Sequence, residues 1–312
     1  MQFRTQIPIS KSSYPIDYNS KVVSLGSCFA ENMASKLEYF QFQNFCNPFG
    51  IIFNPVSIEK LVSRVVVNKY FTEEDVFFHN ERWHCFELHS ELSSLDKETL
   101  LASINQLLDA TRLYVTQASH CIITYGTAWV YRSNATNSIV ANCHKVPQRE
   151  FKKELLSIGT IQESIRNTIH LIKRINPTIS FVFTVSPVRH IKDGFIENQL
   201  SKSHLISALH AAIEAEGISK SNYFPSYEIM MDELRDYRFY NEDMLYPNTV
   251  AIDYIWERFV ESTIAEKTND TMKEVATIQK SLQHRSFNPQ SESHQKFEAN
   301  LQNKISKLTS LY

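Results

Sequence analysis

Short apolar runs rich in β-branched residues recur along the chain, each closed by a turn residue and each flanked by a stretch of helical spacing. Lys21 to Leu25 (KVVSL) is the first, with Gly26-Ser27 directly after it and Phe29, Met33 and Leu37 recurring at a helical period. The pattern reads as a strand, a tight turn and a helix. His120 to Tyr125 (HCIITY) ends in Gly126, and Ser180 to Val185 (SFVFTV) ends in Ser186-Pro187. Helix-like stretches precede both runs, from about Leu95 to Gln117 and from Thr160 to Ile175. Apolar strands that alternate with helices predict a parallel sheet covered on both faces. Such sheets bind ligands beyond the carboxyl ends of their strands. Ser27, Gly126 and Ser186 fall there.

Two regions break the pattern. Phe71 to Ser90 (FTEEDVFFHNERWHCFELHS) is dense in aromatics and histidines without a helical stripe, and reads as an irregular excursion or small hairpin over the sheet. The tail from about Ala265 is polar, yet Val275, Ile278 and Leu282, then Phe297, Leu301, Ile305 and Leu308, keep helical spacing. Two amphipathic helices are expected, separated near Asn288-Pro289, packing on the body or on a second copy as a homodimer.

Composition narrows the classes. The 312 residues are 43% hydrophobic and 21% charged, enough for one large α/β domain or two smaller ones. A net charge of -2 leaves no electrostatic footprint for nucleic acid or an anionic membrane surface. Only 6 glycines occur, without a phosphate-cradling motif, so no nucleotide cofactor is expected. Five cysteines without a CxxC pair argue against a disulfide framework and a cysteine-rich zinc site. No charged start with an apolar stretch opens the chain, and no run of about 18 apolar residues offers a membrane span. The sequence therefore reads as cytoplasmic.

A serine in the turn between a first strand and its helix is well placed to be a nucleophile, because its N–H and the helix N-terminus face a developing oxyanion. Ser27 also suits plain helix capping. Cys28 is a rival nucleophile, and otherwise buried filler. His79, His84 and His89 are spaced too sparsely for one helical face, so no metal site is assigned. Arg189 suits either a forked bond to a substrate carboxylate or phosphate, or a salt bridge. Asp232, Glu233, Arg235, Asp236 and Arg238 read as an ion-pair cluster or solvated face. Trp83, Trp129 and Tyr131 suit an aromatic wall for a sugar or acyl chain, or core packing.

VSLGSCFA at Val23 to Ala30, with Asn47-Pro48-Phe49-Gly50 and Asn54-Pro55, resembles the signature of the GSCFA-domain family, relatives of the SGNH/GDSL hydrolases. TYGTAWVY (124–131), ANCHKVP (141–147), TVSPVRH (184–190), NQLSK (198–202) and the block from Tyr223 to Asp243 extend the resemblance over most of residues 20 to 260. It implies an SGNH-hydrolase-like α/β fold: three layers, a mainly parallel sheet of about five strands with helices on both faces, and a C-terminal helical extension. Residues 1–264 would form that domain and 265–312 the extension. By similarity, Ser27 matches the nucleophile, Gly50 or Asn54 the oxyanion block, and Gly126-Thr127 the position of a GxND motif. Asn142, Arg189 and Tyr246 join them as candidate substrate contacts.

The last SGNH block resembles Asp-x-x-His, but this chain reads Asp243-Met244-Leu245-Tyr246. A tyrosine, with a pKa near 10, stands where the base is expected. His144 or His190 would then take the serine proton, with Asp243 as orienting carboxylate. Tyr246 as proton donor with Asp243 as base is a further arrangement. The implied activity is ester hydrolysis or acyl transfer on an O-acylated, carbohydrate-type small molecule, without cofactor. The Tyr246 departure opens a second reading, a catalytically weakened binding protein, and Cys28 a third, a thiol hydrolase.

Overall fold

The protein is described by a computed structural model over residues 5–217, 221–283 and 290–309. Strand β1 (Lys21–Gly26) runs directly into helix α1 (Cys28–Tyr39), and β2 (Gln43–Cys46) returns to pair beside β1 in parallel. Helix α2 (Pro55–Val67) starts as its sequence dictates, with Pro55 in the first turn and the Asn54 side chain accepting the Ser57 N–H. The aromatic excursion then forms a hairpin of β3 (Val76–His79) and β4 (Arg82–Cys85). Its turn residues Asn80 and Glu81 have φ of 45° and 60°, the conformation that matches strand twist in two-residue hairpins.

Helix α3 (Lys97–Gln117), capped by Asp96, leads into β5 (His120–Tyr125). Strands β6 (Trp129–Ser133), β7 (Ile139–Val140) and β8 (Phe151–Leu155) form a separate antiparallel sheet in the order β7-β6-β8. Helix α4 (Ile158–Ile175), β9 (Ser180–Val185), α5 (Phe195–Glu216) and β10 (Ser221–Tyr223) complete the wound core. A single turn, α6 (Ser226–Glu228), passes into a π-helical turn before α7 (Thr249–Thr263), α8 (Asn269–Leu282) and α9 (Glu292–Thr309).

The main sheet is wholly parallel in the order β10-β9-β5-β1-β2. Alternate residues of its strands feed two cores. Val23, Cys121, Ile123, Phe181 and Phe183 pack with α2, α3, α4 and α5, whereas Val22, Ile122 and Val182 pack with Phe29, Met33, Ile255 and Trp256 of α1 and α7. The expected three-layer architecture is present, and a one-residue slip of any central strand would exchange the two cores. Helix α4 shows how a stripe holds such a layer. Ile161, Ile165, Ile169 and Ile172 are at most 1% exposed, each contributing roughly 1.5–3 kcal/mol of gross burial.

The tail forms the two expected helices. Met272, Val275 and Ile278 of α8 are buried while Leu282 is exposed, and the Gln279 side chain donates to the Tyr39 carbonyl at 3.2 Å. Asn288-Pro289 lies outside the described residues. Among the described residues no helix is long and apolar enough to cross a membrane.

Strand β1 ends in a close approach. Gly26 has φ +134°, and a Cβ there would lie 2.1 Å from the Thr124 carbonyl oxygen of β5. Both the backbone conformation and the contact exclude a side chain. Gly26→Ala is expected to lower the unfolding free energy by about 3 kcal/mol or more in urea titrations. A loss below about 1 kcal/mol would mean that the two strands part easily at this point.

Candidate active site

The strand order reverses direction between β1 and β5, since the chain first moves outward to β2 and then crosses back. This is the switch point at which doubly wound sheets open a ligand crevice. Ser27 sits on it as the N-cap of α1, with its Oγ accepting the Phe29 N–H at 3.3 Å, and is 1% exposed. The segments around it are pinned by local bonds. The Ser27 N–H donates to Thr124 O at 3.1 Å, Gly50 N–H to Asn47 O at 2.8 Å, and Gly126 N–H to Phe53 O at 2.8 Å. Asn47 also accepts the Gly26 N–H through its side chain at 2.8 Å. The three amides expected to face an oxyanion are thus each engaged by a neighbouring carbonyl.

The Asp243–Tyr246 segment is brought to the same place. Asp243 Oδ1 accepts the N–H groups of Leu245 at 2.8 Å and Tyr246 at 3.1 Å, and Met244 takes φ 59° in the resulting turn. The carboxylate therefore shapes the turn, and the Tyr246 hydroxyl interacts electrostatically with the Cys28 thiol, next to Ser27. Burial raises the pKa of that hydroxyl, with further contributions from Cys28 and Asp243. Burial, then Glu31, likewise pushes the Cys28 thiol up, which keeps it protonated and disfavours a thiol nucleophile.

The two candidate histidines separate. His144 bonds the Cys85 carbonyl through Nε2 at 2.7 Å, stacks near His84 with ring centroids 4.7 Å apart, and is pushed down to about 4 by burial. Its neighbours Asn142 and Cys143, rather than its ring, line the cleft. His190 does line the cleft, stacked on Phe53 at 5.5 Å, with Nε2 buried and without a protein partner among the described residues. Burial, then the Lys202 charge, lowers it to about 3. Among the described residues no histidine ring is hydrogen-bonded to Ser27 Oγ, whose bond is to Phe29.

The cleft itself has a volume of about 570 Å³ between the carboxyl ends of β5 and β9 and the small sheet, with Phe53, Trp129 and Tyr131 as aromatic wall. Thr127, Asn54, Arg189 and Tyr246 also line it. Trp83 lies elsewhere, in the hairpin with Lys97 over its ring at 5.5 Å. His84 is held between Ser93 and the His79 carbonyl, and the described residues contain no group of three metal-ligating side chains. Asp232–Arg235 and Asp236–Arg238 are exposed pairs, whereas Glu233 is buried beside Arg258.

Lys202 belongs to this site although no reading of the sequence placed it there. It is 1% exposed, and Nζ donates to Gly126 O at 2.7 Å and Ser186 O at 2.8 Å, the carbonyls that end β5 and β9. No carboxylate pairs with it among the described residues, and burial lowers it to about 7. The available signal was NQLSK itself. Asn198, Ser201 and Lys202 stand at i, i+3 and i+4, so three polar groups share one buried helical face. Asn198 accepts the His190 N–H at 2.8 Å and Ser201 the Ala128 N–H at 2.7 Å, so this face fixes both walls of the cleft.

The chain is thus a three-layer α/β protein with a serine-capped helix at the switch point of its sheet. It belongs to the GSCFA family, which matches residues 21–259, and the GSCFA domain protein C-terminal domain matches residues 275–312. No curated protein matches. Among solved structures, a Bacteroides fragilis protein described provisionally as an acylhydrolase is 12% identical with a TM-score of 0.40, over 83% of this chain and 91% of that one. An acetyl xylan esterase from the rumen bacterium Butyrivibrio proteoclasticus is 9% identical with a TM-score of 0.42, over 83% and 66%. A family 3 carbohydrate esterase of Clostridium thermocellum is 9% identical with a TM-score of 0.34, over 82% and 98%.

The low position of His144 carries a stability consequence. Its ring, ordinarily near 6.5, lies at about 4 in the folded state, so the unfolded chain binds the proton first as pH falls. Its stabilising contribution is complete above about pH 6.5 and disappears as pH drops towards 4, a loss of about 3 kcal/mol. Asparagine tolerates the φ of 49° at this position. Urea unfolding of His144→Asn is expected to be less acid-sensitive than wild type by that amount between about pH 7 and pH 4. Equal pH slopes would contradict the assignment.

Proposed function

We propose that this chain is a slow serine ester hydrolase acting on an O-acylated, carbohydrate-type small molecule bound in the cleft above the sheet. The observation that carries it is Ser27 at the switch point, with the Asp243–Tyr246 turn near it and, among the described residues, no imidazole on its hydroxyl. In this reading Ser27 Oγ attacks the ester carbonyl, its proton passes to a base, and the tetrahedral oxyanion collapses to release the alcohol. Water then hydrolyses the acyl-serine by the same route. His190 is the base this reading favours, since the residue lines the cleft, its buried Nε2 has no protein partner among the described residues, and its ring is neutral at pH 7. A ring held at about 3 accepts a serine proton poorly, which is why turnover is slow. Thr127, Asn142 and Asn54, which line the cleft, would border the acyl carbonyl, and Trp129 and Tyr131 offer faces for a sugar ring.

The second reading, a binding protein that has lost turnover, is favoured by Tyr246 itself, because a tyrosine near Cys28 stands where the resemblance expects the histidine base. Hydrolysis of p-nitrophenyl acetate separates the two. Slow wild-type turnover abolished by Ser27→Ala and raised at least about tenfold by Tyr246→His is expected. Activity that survives Ser27→Ala would overturn the serine mechanism. A wild type equal to the buffer blank, with Tyr246→His active, would establish the binding reading.

A further inference from the structure

The proposed function leaves one side chain of the cleft unexplained. Arg189 Nε is buried and has no hydrogen-bond partner among the described residues. Buried donors in folded proteins are almost always satisfied, so an orphan donor on a residue that lines the cleft points to a group that arrives from outside. The rest of Arg189 is held firmly. One guanidinium nitrogen donates to the Met244 carbonyl, the backbone N–H donates to Leu245 O at 3.2 Å, and the guanidinium lies 4.5 Å from the Tyr240 ring and 5.2 Å from that of Tyr237. Aromatic faces orient an arginine and leave its charge uncompensated, whereas a carboxylate would neutralise it.

No carboxylate does so. Among the described residues Arg189 takes part in no ion pair, and the charged lining of the cleft is cationic in balance. Asp193 is the acidic residue of that lining, and it is already paired with Lys153, leaving Arg189 and Lys192 without acidic partners. A neutral sugar ester offers these groups only hydroxyls, which are weak partners for a guanidinium. A carboxylate or phosphate offers two oxygens in the fork geometry that arginine matches, and a charge-assisted bond about twice as strong as a neutral one.

The geometry points to an anion subsite in the cleft: Arg189 recognises a carboxylate or phosphate on the ligand, so that the substrate is an acidic carbohydrate ester. This rests on the proposed function for the ester and the sugar, but not for the anion, which is tested by binding without turnover. Isothermal titration on the full chain at low salt would use D-glucuronate, D-glucose 6-phosphate and D-glucose as probes, in the Ser27→Ala background so that hydrolysis plays no part. At least one anion is expected to bind about tenfold or more tighter than glucose, and Arg189→Gln to reduce that affinity at least tenfold, with Arg189→Lys between the two. Preference for glucuronate identifies a carboxylate ligand, and preference for the 6-phosphate a phosphorylated one. Thermal melts of both Arg189 variants check that the fold survives, and Arg189→Lys keeps the comparison readable if Arg189→Gln does not fold. Equal affinity for all three probes, no anion binding at about 10 mM, or anion binding unchanged in Arg189→Gln would each overturn the assignment. A failed ester assay with Arg189-dependent anion binding would sink the hydrolase reading and leave the subsite standing.

Discussion

Everything at the site depends on how closely β1 approaches β5 at its carboxyl end. Gly26 reaches its position because it has no Cβ to strike the Thr124 carbonyl, and its N–H is held by the Asn47 side chain. The next residue, Ser27, is thereby set against β5 through its own N–H and turned into the cap of α1. A serine cap is an ordinary way to start a helix. Its meaning here comes from location, because the helix begins where the strand order reverses and the sheet opens a crevice.

Around that point the molecule has exchanged chemical readiness for structural closure. The amides of Ser27, Gly50 and Gly126 each meet a carbonyl, the Asp243 carboxylate holds a turn, and Tyr246 meets the Cys28 thiol. Below them, Lys202 joins the ends of β5 and β9 with a buried amine that has no carboxylate partner among the described residues. Burying a cation in this way is unfavourable unless its donors are met, and here two carbonyls take two of the three, while burial lowers the amine to about 7. Burial, then the neighbouring Lys202 amine, lowers His190, so the site combines a well-placed hydroxyl with imidazoles of low basicity. Low basicity, rather than absence of a site, is the physical reason to expect slow chemistry.

The central strands were legible because β1, β5 and β9 are short, apolar and closed by turn residues, and the family signature falls on the first of them. The edge strands β2 and β10, with four and three residues, carry too little periodicity to be read. The small β6–β8 sheet escaped for a different reason: its strands are only partly buried and do not alternate strictly. Within the site, Ser27 and the Asp243–Tyr246 block were legible from local motifs. Lys202 was not, because a lysine in a helix reads as solvated until tertiary packing buries it. The roles of His144 and His190 also depend on distant partners, the Cys85 carbonyl and the Lys202 charge, which no local spacing encodes.

The most direct test of the account is whether Ser27 Oγ reacts covalently, independent of any substrate. Intact-mass spectrometry of the full chain with a fluorophosphonate, which transfers its phosphonyl group to a nucleophilic serine with loss of fluoride, reads this on wild type and Tyr246→His. The account predicts one adduct, mapped to Ser27, forming slowly in wild type and at least about tenfold faster in Tyr246→His. An adduct on Cys28 or another residue, or none on Ser27 in either protein, would contradict it.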